Sequence, residues 1–194
     1  NTMRKNIYKK QYGFSLIETL IAVSILMIAI AGPLSLVQAG LFSSIHDRNE
    51  VTAIYLAQEA IEYIKNFRDS NSYVNNSSVI PRDWLTGPDG YSLATTCGDP
   101  SGCYVDPHGK LSAGFVQSVG TNILPLRQAT STDGVFSYSY DNSGTPTSFT
   151  RIVKINPVPG STEEMTVNVT INWKDNAIPR SYNVSENIYN YEQP

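Results

Sequence analysis

Phe14–Val37 reads FSLIETLIAVSILMIAIAGPLSLV, an almost unbroken apolar run whose one charge, Glu18, lies near its N-terminal end. Wound as a helix at 1.5 Å per residue, the run reaches about 36 Å, enough to cross a hydrocarbon core of roughly 30 Å. Immediately before it stands a basic leader, MRKNIYKKQYG, with Arg4, Lys5, Lys9 and Lys10. Positive charge on that flank keeps the leader on the cytoplasmic side and sends the remainder outward. A cleaved secretory signal would show a shorter apolar core followed by a small-x-small site, and Ala31-Gly32-Pro33 offers only a weak version of one. Gly32-Pro33 interrupts the run, and a proline without an N–H predicts a kink or a locally opened turn there.

Beyond about residue 70 the composition turns polar and strand-rich. The chain has 194 residues and a formal charge of -3, which fits one globular domain with a helix attached. Residues 71–194 suffice for one modest core. No basic patch interleaved with aromatics is present, so direct nucleic-acid binding is not expected. Cys97 and Cys103 are the only cysteines, in CGDPSGC. In an exported domain a disulfide is the natural proposal, with a pair of free thiols as the alternative. A metal site would be incomplete, because two thiolates with only His108 nearby do not fill a tetrahedron.

A carboxylate inside an apolar span is expensive and normally has a functional partner, although Glu18 is close enough to the end to snorkel. The residues around it carry a resemblance. Lys9-Lys10-Gln11-Tyr12-Gly13, followed by Phe14-Ser15-Leu16-Ile17-Glu18-Thr19-Leu20-Ile21-Ala22, resembles the processing and methylation motif of type IV prepilins and type II secretion pseudopilins. Ser15 stands where threonine is common in that family. The resemblance implies a membrane prepilin peptidase that cuts after Gly13 and methylates the new N-terminus at Phe14. It also implies that Glu18 pairs with an N-terminal amine during assembly, and that the partners are other pilin subunits and an inner-membrane assembly platform. The bilayer holds the chain before assembly, and the kink at Gly32 and Pro33 is where the helix would loosen as subunits leave it.

Residues 41–68 read as the same helix continuing out of the membrane, so that helix spans 14–70 in all. Ile54, Ala57, Ile61, Ile64 and Arg68 recur at spacings of three and four, flanked by Ala53 and Ala60. Glu50, Glu59 and Glu62 lie away from the centre of that stripe, and Asp69-Ser70-Asn71-Ser72 reads as a stop. An irregular connector with Trp84 follows. Strands are predicted at Tyr91–Ala94, 115–119, 135–140 and 149–155. The strictest alternation is Thr166-Val167-Asn168-Val169-Thr170-Ile171-Asn172-Trp173, apolar at every odd position. Lys174-Asp175-Asn176 then turns the chain into a last strand with Tyr182 and Val184 facing in. The predicted fold is α+β and pilin-like: a long protruding N-terminal helix whose C-terminal half packs on an antiparallel β-sheet.

Catalytic signatures are missing: no HExxH and no phosphate-binding glycine loop. His46 and His108 lack the neighbours for catalysis or zinc, and no enzyme activity, cofactor or metal is expected. Asp133 and Asp141 do not have the spacing of a twelve-residue calcium loop. The sequence therefore points to a structural filament subunit of minor-pilin or pseudopilin type. The alternatives are a major pilin, a pilin-anchored adhesin or binding module, and a single-span anchored domain that never polymerises.

Overall fold

The computed structural model describes residues 13–75, 83–87, 90–111, 114–130 and 136–190. It forms two compact units, residues 1–45 and residues 46–194, and the boundary falls inside one helix, α1 (Leu16–Asn75). In the first unit every described residue up to Phe42 is exposed, including Phe14, Leu20, Ile28 and Leu36. The helical run continues through Gly32 and Pro33.

The second unit is built on a five-stranded antiparallel sheet in the order β2-β1-β6-β7-β8. Its strands are β1 (Cys103–Val105), β2 (Val116–Ser118), β6 (Thr150–Pro157), β7 (Glu164–Asp175) and β8 (Ile178–Tyr189). A smaller antiparallel sheet, ordered β4-β3-β5, comprises β3 (Arg127–Thr130), β4 (Phe136–Ser139) and β5 (Thr145–Pro146). The alternation in the sequence sets the faces. Val167, Val169, Ile171 and Trp173 of β7 are buried, as are Val153 and Ile155 of β6. They pack with Ala53, Leu56, Ala57, Ala60, Ile61 and Ile64 of α1 in one core. Three of the helix residues are alanines with no exposed surface, so the helix backbone can lie close to the sheet. Each fully buried Ile or Val contributes about 1.5–3 kcal/mol, which far exceeds any helix-propensity difference.

The α+β arrangement and the closing β6-β7-β8 meander agree with the sequence reading. Several local expectations do not. Helix α1 does not stop at Asp69-Ser70-Asn71-Ser72, where Asp69 and Asn71 find partners other than the helix backbone. Asp69 takes the Arg68 Nε hydrogen bond at 2.8 Å, and the buried Asn71 donates to the Trp84 carbonyl at 3.0 Å. The strand expected at Tyr91–Ala94 is instead the start of a short helix, α2 (Leu93–Cys97), with Ser92 as N-cap accepting from the Thr95 N–H. The turn expected at Lys174-Asp175-Asn176 sits one step later, at Asn176 and Ala177, both with positive φ (47° and 76°). That is the backbone of a two-residue hairpin loop, so β7 and β8 pair in register from Asp175–Ile178 onward. Strands β1, β3 and β5 were not anticipated.

Cys97 and Cys103 form a disulfide. It joins the end of α2 to the start of β1, and both residues are fully buried. Closing so short a loop removes roughly 2 kcal/mol of unfolded-chain entropy.

Candidate functional site

The N-terminal unit carries the residues expected to be processed, Gly13 and Phe14, in the open. Phe14 is 81% exposed, and a Cβ placed on Gly13 would meet nothing within 4 Å. The fold itself therefore has no need of glycine at residue 13. Glu18 sits in the first turn of α1, at the positive end of the helix dipole, and among the described residues no cation is paired with it. Three hydroxyls of this span bond inside the helix. Thr19 donates to the Leu16 carbonyl, Ser24 to Leu20 and Ser35 to Gly32, each at 2.8 Å. A helix in hydrocarbon must satisfy its polar groups internally, as these three hydroxyls do. Among the described residues one helix is long and apolar enough to cross a membrane, and its most apolar stretch is not buried.

Residues 8–32 match the family described as the prokaryotic N-terminal methylation motif. The chain thus carries a prepilin-type N-terminal methylation motif at the head of its apolar run. Neither the curated proteins nor the solved structures compared with it gave a match. The motif supports processing by prepilin peptidase and assembly with other pilin subunits.

In the C-terminal unit of this prepilin-type chain two polar clusters fasten the sheet to α1. The first is centred on Arg151, which points inward from β6 and has no exposed surface. Its Nη1 reaches Glu59 Oε2 at 2.6 Å and donates to the Leu56 carbonyl at 3.0 Å, while Nη2 donates to the Val105 carbonyl. Glu59 therefore sits at the edge of the packed side of the helix, one-third exposed, where the sequence reading places it away from the centre of the stripe. The helical stripe does not reveal its partner, and only the inward phase of Arg151 in β6 signals a buried cation in need of one.

The second cluster was not anticipated. Asp175, at the tip of the β7–β8 hairpin, accepts from Asn49 Nδ2 at 2.6 Å and from Trp173 Nε1 at 3.1 Å, and pairs with His46 Nδ1 at 2.8 Å. Arg180 Nε lies 3.8 Å away. His46 thus has an acid partner, and His108 lies 3.9 Å from Glu59, although the sequence suggested neither. Neither grouping includes a nucleophile. Among the described residues no group of three or more His, Cys, Asp or Glu is placed to hold a metal ion. Asp133 lies outside the described residues, while Asp141 caps its own turn by accepting from the Ser143 N–H.

Burial works to raise the Asp175 carboxyl, but the hydrogen bonds from Asn49, His46 and Trp173 outweigh it and hold the group below the ordinary aspartate range. The unfolded chain then takes up this proton first. The cluster's contribution is complete above about pH 4 and fades as the pH falls through the lower folded value. Asp175→Asn should cost about 2 kcal/mol at neutral pH. The gap from wild type should narrow in urea melts between pH 6 and pH 3. A gap that stays constant across that range would mean the carboxylate charge contributes nothing.

Proposed function

We propose that this chain is a structural subunit of a type IV pilus or a type II secretion filament, of minor-pilin or pseudopilin type. The observation that carries the reading is the methylation motif at residues 8–32 set on a helix whose apolar residues are exposed throughout the first unit. Prepilin peptidase cuts after Gly13 at the cytoplasmic face and methylates Phe14. The subunit waits as a single-pass inner-membrane protein with its C-terminal unit outside. It then passes through an assembly platform into a filament whose core is made of these helices. Exposed Leu, Ile and Phe side chains that lose lipid on leaving the bilayer regain apolar contacts against neighbouring helices. Gly32 and Pro33 are the point at which the helix bends or loosens during that passage, since proline leaves one carbonyl of the preceding turn without its donor. The C-terminal unit, fastened to α1 through Glu59 and Asp175, is displayed on the filament.

Mass spectrometry of the protein recovered from cells with an active peptidase tests the reading directly. The mature chain should begin at Phe14 and carry one added methyl group. A chain that still begins in the leader would leave only a simple membrane anchor.

A further inference from the structure

Strand β8 ends the five-stranded sheet, so one of its edges has no neighbour in the order β2-β1-β6-β7-β8. Long regular edges invite pairing with foreign strands, and proteins blunt them with lysine, proline, bulges or shortness. β8 runs for 12 residues without a lysine, and its register against β7 is unbroken from Asp175–Ile178 to Glu164–Tyr189. The hairpin fixes which backbone groups face outward. Its closing pair, Asp175–Ile178, bonds across the two-residue loop. The even-numbered residues of β8 therefore bond to β7, and the odd-numbered ones turn N–H and C=O to the edge. Both ends of that edge are closed. Pro179 has no N–H to offer, and Arg68 Nη1 donates to the Tyr189 carbonyl at 3.5 Å. Between them stand Ser181, Asn183, Ser185 and Asn187. Among the described residues no other backbone group bonds to the side of them that faces the edge.

A groove of about 450 Å³ runs beside this edge on the helix side, lined by Ile54, Ala57 and Ile61 of α1 and by Tyr182 and Val184 of β8. Glu62 and Glu186 stand at one end, where Lys65 Nζ lies 2.7 Å from Glu186 and 3.5 Å from Glu62. Two carboxylates share one ammonium, so this end keeps a net negative charge. Tyr182, Val184 and Glu186 are half-buried along the groove, whereas Ser181, Asn183, Ser185 and Asn187 are exposed on the opposite face. A strand laid against the edge alternates in the same way, with every second side chain entering the groove. The open stretch from residue 181 to residue 187 measures about 20 Å at 3.4 Å per residue.

We propose that β8 accepts a sixth strand, an extended segment of a partner polypeptide that is apolar at alternate positions and basic where it passes Glu62 and Glu186. The backbone edge selects a strand, because only an extended chain presents donors and acceptors at the spacing of β8. The groove selects the alternate apolar side chains, and its acidic end selects the cation. Among the described residues a second copy of this chain offers no long free edge apart from β8 itself, since β2 is 3 residues long, β4 is 4 and β5 is 2. Strand β8 runs the same way as α1, for Asp175 at its hairpin meets His46 while Glu186 meets Lys65. Pairing β8 with β8 would set the two α1 segments in opposite directions. Chains held in one bilayer by the same end cannot do that, and this step alone rests on the proposed function.

The test uses the full chain in detergent micelles and three fluorescein-labelled peptides of one composition: Thr-Lys-Thr-Val-Thr-Ile-Thr, its reverse, and Thr-Thr-Lys-Val-Ile-Thr-Thr, which breaks the alternation. Saturable fluorescence anisotropy is expected with one of the first two, and at least tenfold weaker binding of the third. At saturation the amides of Asn183 and Ser185 should exchange with deuterium at least tenfold more slowly. Ser185→Pro removes an outward N–H while leaving the bonds to β7 in place, and it should raise the half-saturating concentration at least tenfold. Gln58→Trp, at an exposed position of α1, fills the groove without touching β8 and should do the same. Absence of binding by both alternating peptides, equal binding of the third, or Ser185→Pro and Gln58→Trp chains that bind like wild type would each overturn the proposal. So would a dimer in sedimentation that Ser185→Pro dissolves, because the edge would then belong to a second copy. None of these readouts depends on cleavage or filament assembly, so a failure here leaves the proposed function standing.

Discussion

Arg151→Ala should lower the unfolding free energy of the C-terminal unit by about 3–5 kcal/mol, the range for breaking a buried ion pair from one side. The guanidinium has no exposed surface, and it ties three pieces of chain together: the helix through Glu59 and the Leu56 carbonyl, β1 through the Val105 carbonyl, and its own strand β6. Alanine leaves a cavity, strips the Val105 carbonyl of that donor and leaves the Glu59 carboxylate, one-third exposed, without its cation. Arg151→Met separates these contributions. It refills most of the volume and allows Glu59 to rehydrate at the edge, so its cost should be roughly half as large. Replacing both partners, Arg151→Met with Glu59→Gln, should recover still more, because apolar replacement of a whole buried pair is often close to neutral. Trp84 and Trp173 are both buried, so their fluorescence follows denaturant unfolding of this unit. An Arg151→Ala variant within 1 kcal/mol of wild type would show that the pair is incidental to the fold.

The same residue shows where sequence reading succeeds and where it stops. The shared face of Arg151, Val153 and Ile155 is written in period-two spacing, as is that of β7 along its whole centre, because side-chain alternation in a strand is fixed by backbone geometry. The apolar span and its motif were equally plain, since both are written in consecutive residues. Partners were not. Glu59 and Arg151 are 92 positions apart, and Asp175 meets Asn49 and His46 across 126 and 129 positions. No local pattern encodes contacts at that range. Short elements also escaped notice. Strand β1 is three residues, all buried, and so has no alternation to read, while β3 is Arg-Gln-Ala-Thr and carries no apolar phase. Tyr91–Ala94 looked strand-like by composition, yet the Ser92 side chain caps the Thr95 N–H and starts a helix instead. One hydrogen bond outweighed a weak propensity.

Glu18→Ala should leave cleavage at Gly13 and insertion into the membrane intact while cutting incorporation into filaments at least tenfold. The argument starts from cost. In hydrocarbon an uncompensated carboxylate is penalised by several kcal/mol, so the alanine variant enters the bilayer at least as readily as wild type. In the proposed processing, cleavage depends on the leader and on the Gly13–Phe14 bond, both upstream of the substitution. Filament formation differs, because in the proposed function the carboxylate is neutralised there by the positive amine that cleavage would create at Phe14. A pair that contributes more than about 1.4 kcal/mol per subunit changes the assembly equilibrium tenfold. Glu18→Gln distinguishes charge from polarity. It keeps a hydrogen-bonding side chain of the same length, so if the ion pair matters it should fail nearly as badly as alanine. The readout is the ratio of subunit in sheared filaments to subunit in membranes, measured by immunoblot in cells that also make the wild-type chain. Equal ratios for wild type, Glu18→Ala and Glu18→Gln would remove Glu18 from assembly. The carboxylate would then be a charge that merely snorkels to the nearby membrane surface.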